Sequence, residues 1–204
     1  MLRPLVFALV LTLCATGAKA DRYEDCVQSA DLERKIRGCT QIIERGPRES
    51  LENRDSAYIN RGVAYTKKGE VDRAIADYTK AIAIDPKLAQ AYNNRGVVYK
   101  KKGEVDRAIA DYTKAIALNP NLAGAYYNRG YAYTKKGKVD RAIADYTKAI
   151  ALDPDDAEAY YNRGVVYGRK GDKEREIADF RKALEINPSY QNAKKGLKIL
   201  GVTP

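Results

Sequence analysis

The stretch Asp72–Ile82, DRAIADYTKAI, decides the fold. It returns letter for letter at Asp106 and at Asp140, and a worn copy, EREIADFRKAL, begins at Glu174. Each copy starts 34 residues after the last. In the second copy Val105, Ala108, Ile109, Tyr112, Ala115 and Ile116 fall on one face of a helix. Just upstream, Tyr92, Gly96 and Tyr99 form a second, shorter helical stripe. Gly103 separates the two stripes, and Asn119-Pro120 closes the second. Each period therefore reads as helix, tight turn, helix and short loop, in phase at 55–88, 89–122, 123–156 and 157–190. One hairpin cannot bury both stripes alone, so neighbouring units must stack.

Composition narrows the function. Apolar residues make up 45% of the 204, enough for a core, and 37 Lys and Arg against 27 Asp and Glu give +10. His is absent, which removes the commonest general base and the commonest metal ligand. The four serines, Ser29, Ser50, Ser56 and Ser189, sit in no nucleophile elbow, and no glycine-rich phosphate loop occurs. The sequence is read as non-catalytic, with no metal and no cofactor.

Residues 1–20 have Arg3 near the start, an apolar run from Leu5 to Leu13, and Ala18-Lys19-Ala20 at the end. That is the anatomy of a secretory signal cut after Ala20, and the run is short for a membrane span. An uncleaved anchor is the other reading. Cleavage removes Arg3, Lys19 and Cys14, leaves a charge of +8, and leaves no membrane span. The expected location is periplasmic or secreted. Cys26 and Cys39 then remain as an even pair in an exported chain, which invites a disulfide. Two reduced, buried thiols are the alternative.

The stretch from Ala91 to Pro120, AYNNRGVVYKKKGEVDRAIADYTKAIALNP, resembles a tetratricopeptide repeat (TPR), here of an exported bacterial type. Tyr92, Gly96, Tyr99, Ala108, Tyr112, Ala115 and Pro120 carry the likeness, and all four units fit it. The resemblance implies an all-α, right-handed α-solenoid. Residues 21–54 look like a degenerate N-terminal unit, with RESLENR after Pro47 as a linker, and 191–204 like a capping helix. In the fourth unit Glu176 replaces the small Ala74, Ala108 and Ala142, and Lys173 replaces a valine, as suits a terminal face turned to water. The family usually has Leu before the small residue of the first helix; here stand Arg61, Arg95, Arg129 and Arg163. They either pair with Asp77, Asp111, Asp145 and Asp179 or extend to solvent.

The resemblance also implies a partner groove lined by the first helices. Asn60, Asn94, Asn128 and Asn162 form a ladder that either grips a peptide backbone or stabilises the repeat locally. Tyr127, Tyr131 and Tyr161 break the repeat and have the profile of interface anchors; packing as a surface cluster is the alternative. Lys67, Lys101 and Lys135 belong to basic runs that end the first helices, where they either offset the helix dipole or sum into a positive stripe. Gly124 and Asn128 stand where a two-carboxylate clamp needs Lys and Arg, so that specialised reading is weak. The expected function is a scaffold binding a protein or peptide segment, acidic ones included. The alternative is a binder of anionic polymer through the lysines. Nucleic acid is disfavoured by the export signal and by the 27 interspersed acids.

Overall fold

The computed structural model describes residues 22–203, so the signal segment 1–20 and its cleavage site lie outside the described residues. Among the described residues the ordered elements are all helical. They are α1 (22–28), α2 (Leu32–Glu44), a 3-10 turn (Gly46–Arg48), α3 (Leu51–Lys68), α4 (Val71–Ile84), α5 (Ala89–Lys102), α6 (Val105–Leu118), α7 (Ala123–Lys135), α8 (Val139–Leu152), α9 (Ala157–Lys170), α10 (Lys173–Ile186) and α11 (Gln191–Ile199). The fold is all-α and of the α-solenoid class. No described helix is long and apolar enough to cross a membrane. The chain forms two compact units, one ending at Val98 and one beginning at Tyr99.

The same local chemistry stops and starts each helix. Gly69 takes φ 78°, and the next N–H, of Glu70, reaches back to the Tyr65 carbonyl at 2.9 Å, closing α3. The second helices end at an Asp or Asn before Pro. There the Asp85 carboxylate accepts from the Lys87 N–H at 2.8 Å, and the Asn119 amide oxygen accepts from the Asn121 N–H at 3.0 Å.

In the first unit a disulfide joins Cys26 to Cys39, both buried beside Ile42 and Ala57. A Cβ on Gly38 would lie 2.7 Å from the Asp25 Cβ and 2.8 Å from the Arg22 carbonyl oxygen. Only glycine lets α2 come this close to α1, and the two sulfurs occupy the space between them. The expected linker is instead a 3-10 turn followed by the first turn of α3. The Ser50 hydroxyl accepts from the Asn53 N–H at 3.1 Å and so caps a helix that begins four residues before the repeat phase does. Ala74, Tyr78 and Val98 form the core between α3, α4 and α5, with Ile59 and Val63 packed on it.

In the second unit Ala142, Tyr146 and Val166 make the equivalent core. A Cβ on Gly164 would meet the Phe180 ring at 2.9 Å, so only glycine permits this close approach. The last helix, α11, lays Ala193 and Leu197 on Phe180 and closes the stack. Glu176 is not simply turned to water. It is half-buried, burial raises its carboxyl above the ordinary range, and it fills the space above Gly168, where a Cβ would lie 2.4 Å from its Oε1.

The arginine series pairs with the aspartates. Arg61, Arg129 and Arg163 each make two hydrogen bonds of 2.8–2.9 Å to Asp77, Asp145 and Asp179. The remaining guanidinium nitrogen of each donates to a threonine of the preceding unit, Thr40, Thr113 or Thr147, at 2.9–3.1 Å. Two tyrosine rings flank every one of these guanidiniums; Arg129 lies 5.8 Å from Tyr126 and 5.9 Å from Tyr133. One side chain thus ties three helices together, which a leucine at that place cannot do. That Thr40 serves Arg61 fixes the phase of the degenerate unit.

Candidate functional site

The two units present their first helices separately, and each brings some of the expected residues together. In the first unit a cleft of about 190 Å³ opens between α3 and α5. Val63, Thr66, Lys67, Tyr78, Asn94 and Val97 line it. Its floor is apolar, with an ammonium and an amide at the rim. Asn94 accepts from the Gln90 side chain at 2.9 Å, which leaves its amide N–H groups available. Asn60 lies half-buried one unit earlier on α3.

In the second unit the tyrosines divide. The Tyr127 hydroxyl donates to Glu158 Oε1 at 2.6 Å and accepts from Asn162 Nδ2 at 2.9 Å. Its ring stands edge-on to Tyr146, centroids 5.8 Å apart. Burial, then the hydrogen bond to Glu158, push its hydroxyl pKa far above the usual range. Tyr161 stacks on Phe180 at 5.3 Å and meets Tyr190 edge-on at 5.3 Å. Both rings therefore pack on second-helix aromatics of their own units and stay half-buried. Tyr131 differs. Lys100 Nζ sits 4.8 Å from its ring centre and Lys135 Nζ sits 5.3 Å away. Asn128 is half-buried on the same helix, α7.

The basic runs divide between ion pairs and solvent. Lys68 bridges to Glu33, Lys136 to Asp106 and Lys170 to Asp140, each an acid on the second helix of the preceding unit. Each of these lysines staples its repeat to the preceding one, and its charge is largely answered there. Lys67, Lys101 and Lys135 are exposed. Lys100 alone of its run is drawn inward, and burial lowers its pKa against the pull of Glu158.

In the sequence Lys100 stands out only as a member of the basic run with Lys101, and Glu158 does not stand out. Both break the repeat: Thr66, Thr134 and Gly168 are the equivalents of Lys100, and Ser56, Gln90 and Gly124 those of Glu158. Among the described residues no group of three metal-ligating side chains comes together. A cavity of about 600 Å³ is an open trough on α11 beside Lys194, Lys198 and Val202, away from the expected residues.

Residues 62–103 and 130–171 match the family described as TPR repeat, and 89–122, 111–144 and 157–190 match models described as tetratricopeptide repeat. A comparison with curated proteins finds no match. Among solved structures the chain is similar to MamA, at 29% identity and TM-score 0.72, over 83% of this chain and 96% of that one. It is similar in fold to YrrB, described as a TPR protein with an unusual peptide-binding site, at 22% identity and TM-score 0.72, over 94% and 98%. A tetratricopeptide repeat protein from Parabacteroides merdae shares 20% identity at TM-score 0.75, over 92% of this chain and 74% of that one.

Proposed function

Because this chain belongs to the tetratricopeptide-repeat family, whose members serve as protein-interaction modules, we propose that it is a non-catalytic scaffold that binds a peptide segment of a partner protein along its first helices. The observation that carries the proposal is the set of amides and hydroxyls held in place on those helices. In the second unit Asn162, Tyr127 and Glu158 are already joined in one hydrogen-bonded network. A polar group fixed before binding loses little entropy when a ligand arrives. In the first unit Asn94 and Lys67 rim an apolar cleft of side-chain size. An extended peptide needs this combination, amides for its backbone and pockets for alternate side chains. YrrB, similar in fold, is described as having a peptide-binding site. Asn60 and Asn128 continue the amide ladder in this reading, and Tyr161 supplies a stiff apolar wall.

Export belongs to the same proposal: the secreted chain starts at Asp21, with Cys26 and Cys39 oxidised. Intact-mass measurement and non-reducing peptide mapping on protein from its native envelope test it. A mass that retains residues 1–20 would sink the export reading. The polyanion alternative is weakened by Lys68, Lys136 and Lys170, which already have acidic partners.

The binding test is calorimetry against a peptide of the partner recovered with the mature chain as bait. Asn94→Ala and Tyr127→Phe should each weaken binding about tenfold, and Lys101→Ala by less than about twofold. If the first two bind like the parent while Lys101→Ala fails, the groove reading is wrong and the polymer reading replaces it.

A further inference from the structure

We propose that Lys100, Lys135 and Tyr131 form a subsite for a single carboxylate, the Asp or Glu side chain of the bound peptide. The proposal rests on the peptide-binding reading above and deepens it at one place.

The first observation is a cost in the fold. In the first and third repeats a threonine pairs with the buried second-helix tyrosine: Thr66 with Tyr78 at 3.3 Å and Thr134 with Tyr146 at 3.5 Å. In the second repeat Lys100 takes the threonine's place. The Tyr112 hydroxyl, fully buried, is left with no hydrogen-bond partner. An orphaned buried hydroxyl is destabilising, and so is a half-buried ammonium. A position that breaks two rules of its own repeat without structural gain is where function is expected.

The second observation is charge without an answer. Lys68, Lys136 and Lys170 have carboxylate partners. Lys100 and Lys135 instead lie against one ring, and Glu158, whose charge pulls on Lys100, is itself held in a hydrogen bond from Tyr127. Tyr131 itself replaces the valine found at Val63, Val97 and Val165. The ring holds two like charges near each other, an arrangement that an incoming anion relieves. Burial has stripped water from Lys100, so an added carboxylate meets less competition there than at an exposed lysine.

The third observation selects the occupant. Glu158 lies near enough to Lys100 to pull on its charge, and it repels a second negative charge there. An extended polyanion would have to run past it. One acidic side chain on an otherwise neutral peptide would not.

The test is a titration of the full chain followed by amide resonances. The probes are blocked pentapeptides Ala-Ala-Glu-Ala-Ala and Ala-Ala-Gln-Ala-Ala, penta-alanine with a free C-terminus, and polyphosphate. The Glu peptide should shift Lys100, Tyr131 and Lys135 and bind about tenfold more tightly than the Gln peptide. Lys100→Thr should lose that preference while melting no lower than the parent, because it restores the hydroxyl partner of Tyr112. Lys135→Met, at an exposed position, should weaken the Glu peptide severalfold. Equal binding of both blocked peptides on α7 and α9 would overturn the subsite and leave the peptide reading standing. Silence on those helices with every peptide would overturn both. Binding of the free chain end as tight as that of the Glu peptide, an unchanged preference in Lys100→Thr, or a response to polyphosphate alone would each refute an acidic side chain as the occupant.

Discussion

Removing the Arg129–Asp145 clamp one side at a time, and then whole, measures what it contributes. The carboxylate accepts two hydrogen bonds of 2.8 Å from one guanidinium, and the two side chains are only 17% and 8% exposed. Arg129→Leu leaves Asp145 with a buried, unanswered charge. Asp145→Leu leaves the guanidinium on Tyr126, Tyr133 and Thr113 with no anion. Breaking a fully buried pair costs about 3–5 kcal/mol. The residual exposure of Arg129 lowers that, so each single variant should lose about 2–3 kcal/mol. The double leucine variant removes both charges and restores an apolar seam of the kind usual in the family. Its loss should be no more than about 1–2 kcal/mol, which gives a coupling of about 3 kcal/mol between the partners. For a chain of this size each single variant should melt about 6–10 °C lower, with the double variant above both. Urea titrations followed by circular dichroism supply the free energies, and the slopes report whether the array still unfolds as one. Strictly additive losses, with the double variant lowest, would falsify the account of this clamp as a coupled, desolvated pair.

Three further outcomes follow from the packing. Asp55 is buried without a cation, and burial raises its carboxyl above its ordinary 3.8. A raised folded-state value costs stability above that value, and the cost fades as pH falls through it toward 3.8. Asp55→Asn should therefore be more stable by about 1 kcal/mol at neutral pH, with the gain vanishing in acid; a gain that persists in acid would refute the cause. Gly164→Ala should lose about 1–3 kcal/mol against the Phe180 ring, whereas Gly124→Ala, with nothing within 4 Å, should gain up to about 1 kcal/mol; thermal melts of the two suffice. Reducing the Cys26–Cys39 bond, which closes a separation of 13 residues, should cost about 3 kcal/mol, read as a lower urea midpoint with dithiothreitol.

The helix pairs were legible because the sequence writes them out repeatedly. Identical stripes such as Val105–Leu118 and Val139–Leu152 became helices of identical length. In that phase Gly62 and Gly164 take equivalent places, and the structure sets both against second-helix rings. The linker at 48–54 was misread because polar residues with a serine in front satisfy a helix cap as well as a loop, and only packing on α2 and α4 decides between them. The tyrosines were half legible. Their departure from the repeat marked them, but periodicity cannot say that Tyr127 and Tyr161 lean on Tyr146 and Phe180 while Tyr131 carries two ammoniums. Nor can it say which lysine of a run of three turns inward.

That last ambiguity has a physical source. At the end of each first helix the lysines meet three different fates: an acid on the preceding unit, bulk water, or the interior. Lys136 and Lys170 take the first, because Asp106 and Asp140 recur in phase with them. A residue that recurs in phase with its partner is explained by stacking alone. Lys100 recurs with nothing: its equivalents are Thr66, Thr134 and Gly168, and the hydroxyl beneath it is stranded. Stacking accounts for what the four units share, namely the Arg–Asp–Thr ties, the small residues and the turn glycines. It does not account for Lys100, Tyr131 and Glu158, which depart from the repeat and lie on neighbouring first helices of one compact unit. A repeat array has one stability problem, solved the same way in every unit. Departures that make one unit worse at solving it are where the proposed partner contact is to be tested.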